Sequence, residues 1–164
     1  MNTIPEEERH LTRALSLGSE NVRNAGGPFG AVIVTSDGRA FEGVNRVTAN
    51  NDPTAHAEVM AIRTACTSLG TFDLSGSVLY TSCEPCPMCL SSALWARVDR
   101  VVYAADRYDA ARAGFDDAVF YDYFSTPEEE RSMPVRQSRL SPEAGISASA
   151  PFEAWNALDA RVDY

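Results

Sequence analysis

Basic residues are scarce in this chain. Lysine and arginine together number 14 against 23 aspartates and glutamates, a formal net charge of −9, and no basic run appears. Phosphate contacts dominate nucleic-acid affinity, so a polynucleotide binder normally carries a basic footprint. That class is disfavoured, and a small uncharged substrate is easier to accommodate. Long apolar runs are also missing: none approaches the ~20 residues that span a bilayer. The N-terminal stretch MNTIPEEERHLTRAL is acidic and amphipathic, without the apolar core of a secretory leader. Cysteine is limited to four residues, three of them clustered, which does not form a disulfide framework. These absences predict a reducing, cytoplasmic setting with no membrane and no nucleic-acid partner. There is no internal repeat, low-complexity run or linker, and 164 residues suit one domain, 1–164, with a hydrophobic core.

What is present divides into alternating elements. Leu11, Ala14, Leu15 and Val22 share a stripe that predicts a helix from about Pro5 to Val22. AVIVTSDGRAFEGVNRV reads as a hairpin turning at Asp37-Gly38. A second helix is expected from about Thr54 to Leu69, with Gly70 stopping it. SVLYTS (77–82) and RVVYAA (100–105) read as strands, separated by a helix from about Pro85 to Arg97. DAARAGFDDAVFYDYFS reads as short helical pieces, PVRQSRLS (134–141) as an edge strand, and 150–164 as a terminal helix plus tail. Strands that alternate with helices late in the chain imply parallel pairing. The expected architecture is α/β: a mixed five-stranded sheet with helices on both faces, in three layers.

The chemistry concentrates in TSCEPCPMCL, where Cys83, Cys86 and Cys89 stand three apart. Pro85 suits a first helical position, which would put Cys86 and Cys89 on one face of a first turn. A helix N-terminus lowers a thiol pKa and favours the thiolate that a metal requires. Only two histidines exist to complete such a site. His10 reads as a half-exposed residue of the first helix. His56, in PTAHAEVMAI, opens a helix with Glu58 two residues on, and two helices meeting at their N-termini would gather His56, Cys86 and Cys89 around one ion. A closed site using Cys83 as a fourth ligand, an iron–sulfur cluster and a redox pair are the other uses of these thiols. Cys66 falls on the apolar face of its helix and reads as core.

HAE followed thirty residues later by PCPMC resembles the H-x-E…P-C-x-x-C signature of zinc deaminases. GGPFGAVIV, NDPTAHAEV, LYTSCEPCPMCL, WAR, AGFDD and the terminal PFEAW…Y extend the likeness from about Gly26 to Tyr164, and together resemble bacterial guanine deaminases of the cytidine-deaminase-like zinc superfamily. The resemblance implies that fold, and one zinc per subunit held by His56, Cys86 and Cys89 with water or hydroxide as fourth ligand. It implies Glu58 as the proton-transferring residue of a hydrolytic deamination, guanine to xanthine and ammonia. It further implies that Phe29 stacks on the base, Asn45 bonds its edge, the Ala57 N–H lies against the base, Trp95 walls the pocket, and Asp117 binds the amine side or relays a proton. A homodimer exchanging its C-terminal segment, about 142–164, would let Tyr164 cap the partner's site. SPEAGISASAP (141–151) looks longer than the family pattern. Guanosine, ammeline, cytosine and adenine are the neighbouring substrates, and a structural zinc module is the non-enzymatic alternative.

Overall fold

The computed structural model describes residues 4–164; Met1–Thr3 of the N-terminal stretch lie outside the described residues. The chain divides into two compact units, Met1–Phe124 and Ser125–Tyr164. The first unit is organised by one strand, β1 (Gly30–Val34), whose five residues are all buried. Successive strand side chains point to opposite faces, and here both faces are apolar. Ala31 and Ile33 enter one core with Ala57, Ala61, Ala65 and Leu79. Val32 and Val34 enter the other with Ala14, Leu17 and Tyr80. A strand with two buried faces needs cover on both sides. Helix α1 (Glu6–Arg23) supplies it on one, and α3 (Ala57–Leu69) with α4 (Pro87–Trp95) on the other. The three-layer expectation holds.

Strand β2 (Ala40–Val44) and strand β3 (Val78–Cys83) flank β1 antiparallel, and β4 (Arg100–Ala105) runs parallel to β3, in the order β2-β1-β3-β4. Ile33 stands opposite both Phe41 and Leu79, so the apolar set of each strand stays in register. The hairpin turns as expected: Gly38 has φ +82°, and the Thr35 N–H donates to Arg39 O at 2.9 Å. Among the described residues four strands are formed where five were expected. Residues 134–141 carry no strand. Val135 and Leu140 are an odd number of residues apart, so an extended chain would send them to opposite faces with no apolar side to bury, and Pro134 has no N–H to give a ladder.

Beyond β2 a short helix, α2 (Val47–Asn50), enters the segment expected as loop from residue 49. After β4 come α5 (Arg107–Arg112) and α6 (Ala118–Ser125), the short helical pieces expected there. The second unit holds α7 (Ala150–Asn156) followed by a tail, also as expected, and none of its residues is buried. Among the described residues no helix is long and apolar enough to cross a membrane.

Gly43 sets how closely α3 lies on the sheet. A Cβ there would sit 2.3 Å from Ala57 O and 2.3 Å from Ala61 N. Gly43→Ala is expected to destabilise the protein by about 2–3 kcal/mol through overpacking, read as a lower urea midpoint with unchanged slope. The strain would fall on the first turn of α3, beside His56.

Candidate metal centre and active site

Two helix starts build the centre. Strand β3 ends at Cys83, and α4 opens with Pro87 at its first position. Cys86 is therefore the N-cap residue, extended at φ −65° and ψ 167°, and lies outside the helical turn expected to hold it. The cause is local: a proline disfavours helical geometry in the residue before it, and Pro87 imposes this on Cys86. Helix α3 likewise starts at Ala57, later than expected, with His56 extended at its N-cap. Asp52 Oδ1 accepts from the Thr54 N–H at 2.8 Å and its hydroxyl at 2.7 Å, and this Asx turn keeps 52–54 out of the helix.

Those two caps bring three donor atoms together. His56 Nδ1 lies 3.6 Å from Cys86 Sγ and 3.5 Å from Cys89 Sγ, and the two sulfurs are 3.6 Å apart. Tetrahedral zinc with Zn–S of about 2.3 Å and Zn–N of about 2.0 Å requires S···S of roughly 3.8 Å and S···N of roughly 3.5 Å. The residues fit the ion. Their electrostatics point the same way: hydrogen bonding from Cys89, aided by His56, brings the Cys86 thiol down to about 4 against its burial. The Cys89 thiol is pushed up by sharing its hydrogen bond with Cys86 and by burial. A cation between the sulfurs would release both as thiolates. Cys83 stands outside the group. Its Sγ faces Asp106 O at 3.5 Å and burial pushes its thiol up to about 11, so the closed four-ligand site and the cluster readings are not what the geometry offers. Cys66 is half-buried against the core of α3, as expected.

A cavity of about 490 Å³ opens onto the centre, within the range of small-molecule sites. His56, Glu58, Cys86, Phe29, Asn45 and Asp117 all line it. Glu58 is 6 % exposed, and burial holds its carboxyl above the usual range. Asp117 is also raised, by burial and then by the charge on Cys86. Its neighbour Asp116 accepts from the Ala118 N–H at 3.0 Å and so serves as the start of α6. Phe29 meets Phe115 edge-on, ring centres 5.0 Å apart. Ala57 is wholly buried between His56 and Glu58, its N–H among the first-turn donors that lack an intrahelical acceptor. Trp95 is not on the cavity wall. It ends α4 nine residues beyond Cys86 and is 70 % exposed, since about 1.5 Å of rise per residue carries it away from the helix start. Tyr164, in the second unit, has its ring 6.4 Å from that of Trp155. His10 is more buried than expected, its ring tilted against that of Tyr80 with centres 5.0 Å apart.

Several residues of the site carry no motif. Arg107 bonds the Glu84 carboxylate and lies 3.9 Å over the Tyr121 ring, and the Tyr121 hydroxyl donates to Pro85 O at 2.9 Å. This clamp ties the turn before Cys86 to the helix after Asp117. Glu84–Arg107 is separated by 23 residues, so only the fold pairs them. Asn21, in α1, is another such residue.

A mixed sheet with two helix N-termini converging on a His/Cys/Cys triad, and a buried glutamate beside it, is the arrangement of a zinc-dependent hydrolytic deaminase. The chain belongs to the cytidine and deoxycytidylate deaminase zinc-binding family, which it matches over residues 5–105. It is similar to the guanine deaminase of Bacillus subtilis strain 168: 49 % identical over 96 % of this chain and 98 % of that one. The X-ray structure of the Bacillus subtilis protein superposes with a TM-score of 0.87 at 49 % identity, covering 100 % and 99 % of the two chains. A guanine deaminase structure from Nitrosomonas europaea has a TM-score of 0.64 at 33 % identity, covering 71 % and 68 %. A tRNA-specific adenosine deaminase of Haemophilus influenzae is 35 % identical over 90 % of this chain and 83 % of its own.

Proposed function

We propose that this protein hydrolyses guanine to xanthine and ammonia, using zinc held by His56, Cys86 and Cys89. The observation that carries the chemistry is the triad at tetrahedral edge distances with Glu58 buried next to it. The base is assigned by full-length similarity to a guanine deaminase. When bound, zinc acidifies water so that it can attack at neutral pH. Everything else falls to side chains. Glu58 takes the first proton of the attacking water and passes it to the ring nitrogen, then moves the water's second proton to the departing amino group. The raised affinity of its buried carboxyl for a proton suits it to hold that proton between the two transfers. The Phe29 ring lies against the base. The Asn45 Oδ1 accepts from the Val47 N–H at 3.3 Å, which leaves its NH2 to donate to an acceptor on the base edge, and the Ala57 N–H is a second donor there. Asp117, which also lines the cavity, accepts from the amine side.

The enzyme works as a cytoplasmic homodimer in which segment 142–164 is exchanged and Tyr164 caps the partner's cavity. None of the residues of the unit that contains it, Ser125–Tyr164, is buried, which supports this, because forty-residue pieces seldom sustain a core alone. The deciding experiment is ammonia release by zinc-loaded protein on guanine, guanosine, adenine, cytosine, cytidine and ammeline. Guanine is expected first by at least ~100-fold in kcat/KM, since a site that bonds a base's polar edge rejects analogues lacking it. Guanosine in first place would end the capping role of Tyr164, and silence on all six would end the assignment.

A further inference from the structure

Asn21 lies in the last turn of α1 and is 3 % exposed, and it does not line the cavity. Its Nδ2 donates to two backbone oxygens, Gly27 O at 2.8 Å and Asn45 O at 2.8 Å. One amide thereby joins the glycine loop that leads to Phe29 to the end of β2 that carries Asn45. The Asn21 carbonyl holds the same loop from behind, accepting from the Asn24 N–H at 3.0 Å and the Gly26 N–H at 2.9 Å. The glycines show how tightly these parts close. A Cβ on Gly26 would lie 2.3 Å from Asn21 Nδ2, and one on Gly27 would lie 3.0 Å from Asn45 Cγ. A third strut, from the Asn45 N–H to Phe29 O at 3.1 Å, closes the ring of contacts. None of these hydrogen bonds runs to a metal ligand.

We propose that Asn21 is a positioning residue for substrate recognition: it fixes Asn45 and the Gly27–Phe29 segment against each other and so sets how well the base is held. This rests on the reading of Asn45 as a donor to the base edge. Removing the amide leaves two carbonyls without their donor and lets the loop and strand end drift apart, while the zinc centre and Glu58 keep their own supports. The expected result for Asn21→Ala is a guanine KM raised about tenfold or more, the size of one lost buried hydrogen bond, with one zinc per chain retained and kcat within about threefold. A purely structural role would instead lower the melting temperature and the active fraction and leave KM alone. In an Asn45→Ala background the same change is expected to raise KM by clearly less than it does in the wild type, because coupled residues are not additive while the bond to Gly27 O is still lost. If Asn21→Ala does not fold, Asn21→Ser, which keeps one donor, carries the same comparison. An unchanged KM in the folded variant, or effects that multiply in the double variant, overturns the inference. If Asn45→Ala itself leaves KM unchanged, the role of Asn45 falls and the inference falls with it; if Asn45→Ala raises KM and Asn21→Ala does not, Asn21 alone is wrongly assigned.

Discussion

Glu58→Gln is expected to keep zinc and the fold and to lower kcat on guanine by about 1,000-fold or more, within the range for loss of a positioned acid–base group. Glutamine matches glutamate in size and can donate and accept hydrogen bonds, so the buried pocket stays filled. What it cannot do is take up a proton and give it back. Because the group acts on the reacting atoms, the loss should appear in kcat and kcat/KM together, with little change in KM. Single-turnover ammonia release alongside metal analysis reads both quantities. Retained turnover in a zinc-replete Glu58→Gln protein would sink the proposed mechanism.

The second large effect concerns the thiols. Cys86→Ser is expected to abolish stoichiometric zinc and reduce ammonia release to background, whereas Cys83→Ser is expected to keep one zinc per chain. The two cysteines are three residues apart, yet only Cys86 points its sulfur at His56 and Cys89. Chelation of the wild type should mimic Cys86→Ser and be reversed by added zinc. A ligand that binds only the native state stabilises it by about 4 kcal/mol when its free concentration is a thousandfold above Kd, so the chelated protein should also melt earlier. Loss of zinc in Cys83→Ser would restore the closed four-ligand site.

The His56, Cys86 and Cys89 group that could hold a metal was readable in sequence because chemistry allows few residues to do that work. With two histidines in the chain and one of them in HAE, the third ligand had little choice. The layer order was readable for a different reason: apolar periodicity is set by the faces that a strand or helix must bury, and β1 buries both. The helix starts were less legible. Pro85 is an apparent first residue, but Pro87 applies the same steric rule two residues later, and an aspartate two residues before Thr54 delays α3. Asn21 and the Glu84–Arg107–Tyr121 clamp could not be found by pattern, since their partners are brought by the fold from distant segments. Residues 134–141 looked like a strand because β-branched and aliphatic residues occur there, yet two apolar side chains of opposite parity offer no face.

His56 and Cys86 sit where serine, threonine or aspartate usually stand at the head of a helix, and neither makes a side-chain cap hydrogen bond. Such a cap ordinarily contributes about 1 kcal/mol. Both helices forgo it, because the atoms that would have turned back to their own amides face each other instead. Neither head has a side-chain cap of its own, and an ion held by both would terminate the two at once. The reactive centre would then also fasten the head of α3 to the head of α4, so loss of the metal would bring deactivation and loosening of the two helix ends as one event.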